Sequence, residues 1–581
     1  MDAKAVPLNK ILDTNMQMII PIFQREYSWE KDPVKVLWED ILKLYNNIRN
    51  NEDATHFLGP IVRVEVSKSS VDTKKGFLID GQQRITTLMI LLSCLRNEFK
   101  KVDKEISEKI DAGYLINRLE KEENRYKLIP SEGDRESFKK IIDGETNLKE
   151  SKMKDTFDFF TKKIESMNGN IDLEKLRGLI INNIIIVNID VEKGENPYLI
   201  FESLNAKGTP LSQADLVRNY IFMKVNNEEI EKKLYKEYWR PMDLLLGKEL
   251  ENFFWRYSLK DGSFVKMERT YANLKSELEN NTQKSAESEL KKLCLYSEYY
   301  KNLINPEIEK VSDIKKRLIR HNIWEIRTAY PLLLNLYKDY SDLKITLDEL
   351  CKILDIIESF VIRRFFCKDP TNKYNTLFIS IYSKLNKADI INSFISLIID
   401  EFPTDEKFIR GLKEYPIYKS GNIKSRFILS SIEENFKHKE KVDTNNLQVE
   451  HIMPQAIDPD TKVPNPERLP PYWKEMLGSD YKRIHQECLN NLGNLTITGF
   501  NQHLSNRSFE EKKKIYLESH LELNKYFKNI EKWNEEEINK RANEITKLAV
   551  SIWPFPFIDE NILKKYKSEK KEPKKKKLGS L

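Results

Sequence analysis

The sequence predicts an α+β multidomain protein that is predominantly helical. Strand-like and helix-like segments alternate up to about residue 225, and apolar residues then recur at helical spacing up to about residue 440. After that point the pattern predicts a small module of strand, long loop, strand and helix. With 581 residues the chain is too long for one core. We therefore predict an α/β domain, a helical middle domain, a C-terminal module and a basic disordered tail, at residues 1–225, 226–440, 441–560 and 561–581.

Composition and charge exclude several classes of protein. The chain is 40% hydrophobic and 32% charged, with no apolar run long enough for a membrane span and no signal-peptide pattern at its start, so we expect a cytoplasmic protein without a membrane partner. Five dispersed cysteines without a CxxC pair predict reduced thiols and no cysteine zinc site. The net charge is +6, but the tail from Lys564, with nine lysines and two glutamates, carries +7 and leaves −1 for the rest of the chain, so any DNA-binding surface must be a local patch. The pair Arg363–Arg364 lies among aromatic residues; a DNA-facing surface is one interpretation, and ordinary packing is the favoured one.

Within the first domain, residues 57–66 and 76–80 are β-rich runs that predict a hairpin. A strongly apolar helix is predicted at 85–99, and the β-branched run 179–191 predicts a second buried strand. Ser212, with Asp215 three residues later, predicts the start of a further helix.

Near the C-terminal end, LQVEHIMPQ (447–455) precedes NNLGNLTITGFNQHLSN (490–506). This places Glu450 and His451 on the first predicted strand and Asn494 at the head of the second. Imidazole titrates near neutral pH, so His451 is the candidate base for activating a water molecule. The sequence thus indicates a metal-dependent phosphodiester nuclease site, although successive side chains on a strand diverge and Glu450 and His451 can share a metal only if the strand end twists.

Oxygen ligands favour Mg²⁺ or Mn²⁺ over structural zinc. A carboxylate and amide carbonyls are offered by Glu450, Asn494, Asn501 and Asn506. Ser508 and Glu511 form a capping box, which predicts that the last helix begins near Phe509. The alternative is that His451 is a core histidine and the asparagines are turn residues. A zinc site is a weaker alternative, since the histidines of this module match no zinc spacing.

The second constellation is IDGQQRITTL (79–88), which places a glycine turn between a buried strand and an apolar helix. The free N–H groups of a first helical turn attract phosphate, and Arg84 adds a permanent cation beside them. Asp80 could hold a metal or a ribose hydroxyl. The alternative is that Arg84 makes a structural salt bridge and Gly81 merely permits the turn.

In IPIFQREYSWE (20–30), Gln24 and Arg25 are flanked by Phe23, Tyr27 and Trp29. Aromatic faces beside an amide and a guanidinium can stack on a base or read a modified backbone. The aromatic residues are equally consistent with a core in which the arginine is a buried tether.

EHIMPQ followed by LGNLTITGFNQHLSNRSFEEKK resembles the C-terminal HNH nuclease domain of GmrSD-type, modification-dependent restriction enzymes. That resemblance implies a ββα-metal fold in which His451 is the general base and Glu450 a metal ligand. It implies that Asn494 is the central asparagine of the signature and that Asn501 occupies its final position, which serves catalysis and metal binding. Asn506 and Lys512 also match the pattern.

The N-terminal motifs resemble the first domain of the same family, whose fold is related to ParB and sulfiredoxin. They are Pro21 to Trp29, Asp80 to Arg84 and FESLNAKG at 201–208. The resemblance implies binding and hydrolysis of a nucleoside triphosphate, GTP or ATP, and sensing of foreign DNA. The implied nucleotide-binding residues are Asp80, Gly81, Gln82, Gln83 and Arg84, with Asn205 and Lys207 nearby. Phe23, Gln24 and Arg25 are implied in sensing or nucleotide binding, with Phe23 where a tyrosine is frequent.

The resulting prediction is an antiphage restriction endonuclease that cleaves double-stranded DNA of phage or modified origin. Its HNH site would be gated by nucleotide binding or hydrolysis in the first domain, and cutting both strands would be simplest for a homodimer. Two alternatives from other classes stay open: a nucleotide-dependent DNA-binding regulator without nuclease activity, and an RNA-cleaving toxin.

Overall fold

The computed structural model describes residues 2–22, 24–50, 54–65, 74–167, 171–191, 212–225, 227–280, 285–370, 372–436, 443–444, 446–499, 504 and 506–569. The chain divides into two compact units. Unit 1 comprises Met1–Glu251 with Glu268–Cys294, and unit 2 comprises Asn252–Met267 with Leu295–Leu581. Unit 2 thus includes helices of the middle region together with the C-terminal module. The three domain boundaries derived from the sequence stay a prediction.

Unit 1 is built on a mixed sheet, which has six strands in the described part of the chain. The strands are Asp2–Pro7 (β1), Met16–Ile19 (β2), His56–Glu65 (β3), Lys74–Asp80 (β4), Leu128–Ile129 (β5) and Ile184–Val191 (β6). Their order in the sheet is β1-β6-β3-β4-β2-β5. β6 runs antiparallel to β1 and parallel to β3, β3 runs antiparallel to β4, and β2 runs parallel to both β4 and β5. The predicted hairpin is therefore confirmed as β3–β4.

The helices up to residue 280 surround or follow this sheet. In chain order they are Leu8–Leu12 (α1), Lys31–Arg49 (α2), Gln82–Val102 (α3), Lys104–Ile110 (α4), Arg135–Asp143 (α5), Lys152–Glu165 (α6), Leu173–Asn183 (α7), Gln213–Phe222 (α8), Glu228–Leu234 (α9), Arg240–Leu246 (α10), Leu250–Ser258 (α11) and Thr270–Asn280 (α12). The apolar helix predicted at 85–99 is confirmed as part of α3, whose residues from Ile85 to Leu95 are buried. α3 packs against α4 and α6 and forms the centre of the unit 1 core.

The strand predicted at 179–191 is wrong in its first part. Residues up to Asn183 belong to helix α7, and the strand begins at Ile184. Asp172 caps α7 by accepting hydrogen bonds from the first turn, and the apolar residues Leu176, Leu179 and Ile180 follow at helical spacing. An apolar run does not by itself separate a buried helix from a buried strand, which explains the error.

The helices from residue 286 onward are Ala286–Ile304 (α13), Ser312–Ile323 (α14), Tyr330–Ser341 (α15), Leu347–Phe366 (α16), Asn372–Ile381 (α17), Ile390–Ile398 (α18), Asp405–Glu414 (α19), Asn422–Asn435 (α20), Pro471–Leu477 (α21), Tyr481–Cys488 (α22), Phe509–Leu517 (α23), Glu522–Lys525 (α24), Glu535–Ile552 (α25) and Glu560–Glu569 (α26). In α16, Arg363 is fully buried and donates to the carbonyls of Trp553 and Pro403. The arginine pair is therefore packing, as expected.

The C-terminal module consists of two antiparallel strands followed by helix α23. The strands are Gln448–His451 (β7) and Leu495–Thr498 (β8), and His451 lies opposite Leu495. The predicted capping box is confirmed, because Ser508 and Glu511 exchange side-chain and backbone hydrogen bonds at the start of α23. The order of strand, strand and helix expected from the sequence is thus present.

The C-terminal tail and the membrane prediction are compared with the structure last. The tail predicted to be disordered from residue 561 is helical as far as Glu569, since α26 docks through a hydrogen bond from Tyr566 to Asp389 and an ion pair between Lys567 and Asp400. Residues 570–581 lie outside the described residues. Among the described helices, none combines the length and the apolar character needed to cross a bilayer.

Candidate active site

His451, at the end of β7, is held in one orientation inside the C-terminal module. Its side chain is 3% exposed, and its Nε2 lies 3.1 Å from Oδ1 of Asn490. The ring of Tyr418 packs edge-on against the imidazole, with ring centroids 4.4 Å apart. Since an amide oxygen only accepts, Nε2 carries the proton and Nδ1 keeps its lone pair. The geometry therefore selects the tautomer in which Nδ1 is the basic atom.

The electrostatic surroundings keep this imidazole neutral. The pKa of His451 is lowered to about 4, chiefly by burial and to a smaller extent by the charges of Lys512 and His485, while the hydrogen bond to Asn490 opposes the shift. At neutral pH the ring is consequently neutral, with no proton on Nδ1, which is the state that a general base requires.

Asn494 is a clamp for the loop that follows β7. Its Oδ1 accepts from the backbone N–H of Met453 at 2.8 Å and from Nε1 of Trp533 at 3.1 Å. Its Nδ2 donates to the carbonyls of Met453 and Leu489. The side chain is fully buried and every donor and acceptor site is used. This geometry gives Asn494 no free atom for direct contact with a substrate or a metal.

The turn before β8 is shaped by helix α25. A Cβ atom on Gly493 would lie 2.4 Å from the carbonyl oxygen of Ile538, so only glycine permits this close approach. Arg541, also on α25, is buried and donates from Nη1 to the carbonyls of Gly493 and Leu495. The Gly-Asn pair of the motif is thus explained by packing and by loop clamping.

Glu450 forms a buried ion pair with Lys512 of α23. Nζ of Lys512 lies 2.6 Å from Oε1 of Glu450 and also donates to the carbonyl of His451 at 2.7 Å. The lysine side chain is 0% exposed and the glutamate side chain 12%. Burial raises the pKa of Glu450 and lowers that of Lys512, while each partner's charge opposes the shift of the other. The pair fastens α23 to the end of β7.

Among the described residues, no cluster of acidic, histidine and cysteine side chains marks a metal site. They contain no group of three or more His, Cys, Asp or Glu side chains placed to hold an ion. Asn501, the second predicted ligand, lies outside the described residues. Glu450 faces Lys512 whereas His451 faces Asn490, so the two side chains diverge. A divalent cation at Glu450 would lie beside an ammonium group and be repelled by it. In this conformation the site does not fit a metal ion at Glu450.

In unit 1, Gly81 forms the turn between β4 and α3. It has φ +87°, and an added Cβ atom would lie 2.5 Å from Cγ2 of Ile61. Asp80 and Arg84 flank the turn and form an ion pair at 3.5 Å, with side chains 17% and 23% exposed. Arg84 also donates from Nη1 to the carbonyl of Pro60. The structural salt bridge considered from the sequence is therefore present, and its two side chains stay partly accessible beside an otherwise buried helix N-terminus.

Gln82 and Gln83 fasten the segment 24–28 to the start of α3. Gln82 donates from Nε2 to Oε1 of Gln24 at 3.1 Å. Gln83 accepts the backbone N–H of Ser28 at 2.8 Å and donates to the carbonyl of Glu26 at 3.3 Å. Both glutamines are buried. The structure thus brings together the two N-terminal motifs that are distant in sequence.

The remaining predicted N-terminal residues are described only in part. Phe23 and the segment 201–208, with Asn205 and Lys207, lie outside the described residues. Arg25 is half-buried, and its Nε makes no hydrogen bond within the described structure.

Comparison with protein families now connects the two ends of the chain. Residues 8–222 match the model of the GmrSD restriction endonuclease, N-terminal domain. Residues 402–548 match the model of the GmrSD restriction endonucleases, C-terminal domain. The chain belongs to the GmrSD restriction endonuclease family. The resemblance derived from the motifs is thereby confirmed. No curated protein matches the chain.

Three residues of the GmrSD C-terminal domain that shape the site were not predicted. Asn490 orients His451, Tyr418 packs against it, and Arg541 holds the turn before β8. Asn490 could have been predicted from the sequence, because it begins the NNLGN run. Tyr418 and Arg541 belong to other elements, and no local signal connects them with the strands.

Proposed function

We propose that this member of the GmrSD family is an HNH endonuclease that hydrolyses phosphodiester bonds of double-stranded DNA with His451 as its general base. The observation that carries the proposal is the neutral imidazole fixed by Asn490, with Nδ1 as its basic atom, at the end of a strand in a strand–strand–helix module. The surrounding motif residues support that ring and its loop.

In the proposed reaction, a water oxygen bonds to phosphorus and one phosphate ester bond breaks. The proton of the water passes to Nδ1 of His451, and the departing oxygen takes up a proton from solvent. Asn490 keeps the proton of the ring on Nε2, so that Nδ1 is free to accept. Asn494 acts through the loop it clamps and is a positioning residue.

We retain Mg²⁺ or Mn²⁺ as part of the proposal, with Asn501 as a ligand and with Glu450 as a ligand only in a conformation that releases it from Lys512. A bound ion would stabilise negative charge on the phosphate and on the departing oxygen. Because Lys512 neutralises Glu450 in the described conformation, the reaction above is derived from the residues of the chain alone.

For unit 1 we propose a ParB/sulfiredoxin-like domain in which the turn from Asp80 to Arg84 binds GTP or ATP. Support comes from the glycine turn at the N-terminus of the long helix α3 and from the partly exposed Arg84. Gln82 and Gln83 would then transmit nucleotide binding to the segment 24–28, which includes the proposed DNA-sensing residues Gln24 and Arg25. Foreign or modified phage DNA is the proposed target, in the cytoplasm, and a homodimer is the simplest form that cuts both strands.

The test is cleavage of plain and modified phage DNA by the purified chain with Mg²⁺ or Mn²⁺, with and without GTP or ATP. His451→Ala is expected to lower the cleavage rate by about 10²–10⁴-fold, the usual contribution of a general base. His520→Ala, which changes an exposed histidine of the same unit, is the matched control and should retain the rate.

The same assay, extended by an RNA substrate and by a measurement of DNA binding, separates the two alternatives. DNA binding without cleavage under any of these conditions would support the regulator. Cleavage of RNA in place of DNA would support the toxin. Full activity of His451→Ala would contradict the proposed base.

A further inference from the structure

A cationic cleft lies in unit 2, among the helices that precede the C-terminal module in sequence. It has a volume of about 600 Å³ and is formed where the end of α16 meets α19. Its lining includes Lys368, Lys407 and Arg410, with Glu414 and Asp369 as its acidic residues. Asp369 is paired with the buried Arg364, at 3.7 Å. The cleft therefore has an excess of positive charge.

The three cations are free of carboxylate partners among the described residues, although Lys368 lies 5.7 Å from the ring centroid of Tyr415. Within the described part of the chain, Lys368, Lys407 and Arg410 make no ion pair, and each is exposed. Lys407 and Arg410 lie three residues apart on α19 and so share one face of that helix. Gly411 permits the close approach of the helices, since a Cβ atom there would lie 2.6 Å from the carbonyl oxygen of Phe366.

Lys368 occupies a position where glycine is usual. It follows the end of α16 with φ +56°, in the left-handed region, and its backbone N–H donates to the carbonyl of Phe365. Helix ends of this kind favour glycine, because other side chains are strained there. A lysine in such a conformation at the mouth of a cationic cleft points to a use for its charge.

The cleft is joined to His451 by a short turn. Tyr415 lines the cleft, and Tyr418, which packs on the imidazole of His451, follows within the turn Ile417–Ser420. Three residues of extended chain span at most about 11 Å, so the cleft begins within that distance of the residue packed on the base. Phosphates of one DNA strand recur about every 3.4 Å along the duplex axis. The separation thus corresponds to roughly three phosphates. Lys419 in the same turn is another exposed cation.

We propose that this cleft binds the phosphate backbone of the duplex DNA substrate, a few nucleotides from the bond that is cut. Lys368, Lys407 and Arg410 hold the backbone, and the turn Ile417–Ser420 carries it towards His451. The contacts position the duplex without reading its sequence, because they are made to phosphates. The inference rests on the proposed nuclease function and deepens it by naming the docking surface.

The test is binding of a labelled unmodified duplex of roughly two helical turns, about 20 base pairs, to the full-length chain carrying His451→Ala. Affinity is measured by fluorescence anisotropy between about 50 and 200 mM salt. Adding K407A/R410A should weaken binding and reduce the slope of log affinity against log salt by about 2, close to 1 for each lost phosphate contact. The matched control, K310A/K316A, removes two exposed lysines near the start of α14 and should leave the slope unchanged.

Lys368→Gly supplies a second variant that does not depend on damage to the fold. It removes the strained side chain, so the melting temperature should stay the same or rise while DNA affinity falls and the salt slope drops by about 1. Equal slopes for K407A/R410A and K310A/K316A would overturn the proposal. So would preferential binding of an RNA duplex of the same sequence.

Cleavage by the wild-type chain, measured in parallel, separates this inference from the proposed function. K407A/R410A could reduce the slope of log affinity against log salt while the wild-type chain cleaves no DNA. That outcome would retain the docking surface and reject the nuclease. Cleavage that depends on His451, with unchanged slope in K407A/R410A, would retain the nuclease and reject the docking surface.

Discussion

The C-terminal and N-terminal motif regions use polar side chains in different environments. Around His451, the ion pair between Glu450 and Lys512 and the amide of Asn494 are buried and fully engaged. At the turn from Asp80 to Arg84, the ion pair is partly exposed. Removing a partner from a buried pair is costly, whereas an exposed pair contributes little. The C-terminal region should therefore depend on its motif for stability, and the N-terminal turn should be freer to serve a ligand.

The largest effect is expected for Lys512→Met. Breaking a buried ion pair leaves Glu450 uncompensated and typically costs about 3–5 kcal/mol. Urea unfolding followed by tryptophan fluorescence measures the loss. The double variant E450Q/K512M removes both charges and should recover much of the stability. If K512M were as stable as wild type, the contrast between the two regions would be lost.

Asn494→Ala should follow, because it leaves the N–H of Met453 and Nε1 of Trp533 without their acceptor. Each unsatisfied buried group costs about 1–3 kcal/mol, so a loss of roughly 3 kcal/mol is expected. Asn435→Ala, at the exposed end of α20, is the matched control and should change the free energy of unfolding little. An equal effect of the two variants would contradict the clamp.

His451 should titrate near pH 4, and ¹³C-histidine NMR of the metal-free chain measures this, with His451→Ala assigning the signal. The folded pKa lies below the value of about 6.5 for an unfolded chain. The unfolded state therefore binds the proton first as the pH falls. The stability that His451 contributes is present above about pH 6.5 and is lost as the pH falls to about 4. A pKa near 6.5 in the folded chain would show that the ring is more hydrated than described.

The sequence predicted local elements better than it predicted the partners of the site. The hairpin β3–β4, the capping box at Ser508 and the strand–strand–helix order follow from spacing and turn chemistry, and the structure has them. The apolar run 179–191 was predicted as a strand throughout. When nearly every residue is apolar, the hydrophobic spacing does not distinguish the end of α7 from the start of β6.

The arrangement of the candidate site was predicted only in part. His451 was predicted as the base, which stays a proposal, and its partners Asn490 and Tyr418 are brought to it by folding. The amide of Asn494 was expected to serve catalysis, whereas the buried geometry uses it on the backbone. Residue type indicates which hydrogen bonds and reactions a side chain can take part in. Tertiary packing determines which of its donor and acceptor atoms remain available for a ligand.

Gln83→Ala should have a smaller and local effect on the N-terminal region. It removes the acceptor of the Ser28 N–H, and a hydrogen bond contributes about 0.5–1.5 kcal/mol, so amide exchange in the segment 24–28 should accelerate by up to about 10-fold. Hydrogen–deuterium exchange with mass spectrometry measures this. Gln83→Glu keeps the acceptor and loses only the donor to Glu26, so Ser28 should stay protected. Equal exchange in both variants would contradict the bridging role of Gln83.

The smallest change in stability is expected for Arg84→Ala, and this variant tests the comparison most directly. Its ion pair with Asp80 is partly exposed and it makes one hydrogen bond to the carbonyl of Pro60, so the free energy of unfolding should fall by only about 1 kcal/mol. Binding of fluorescent GTP or ATP should nevertheless be lost, because the guanidinium is the permanent cation beside the free N–H groups of α3. Lys139→Ala, which breaks a partly exposed ion pair with Glu123 in the same unit, is the matched control and should retain nucleotide binding. A large loss of stability in Arg84→Ala with unchanged nucleotide binding would contradict this comparison. It would show that Arg84 serves the fold, as Asn494 does in the C-terminal module.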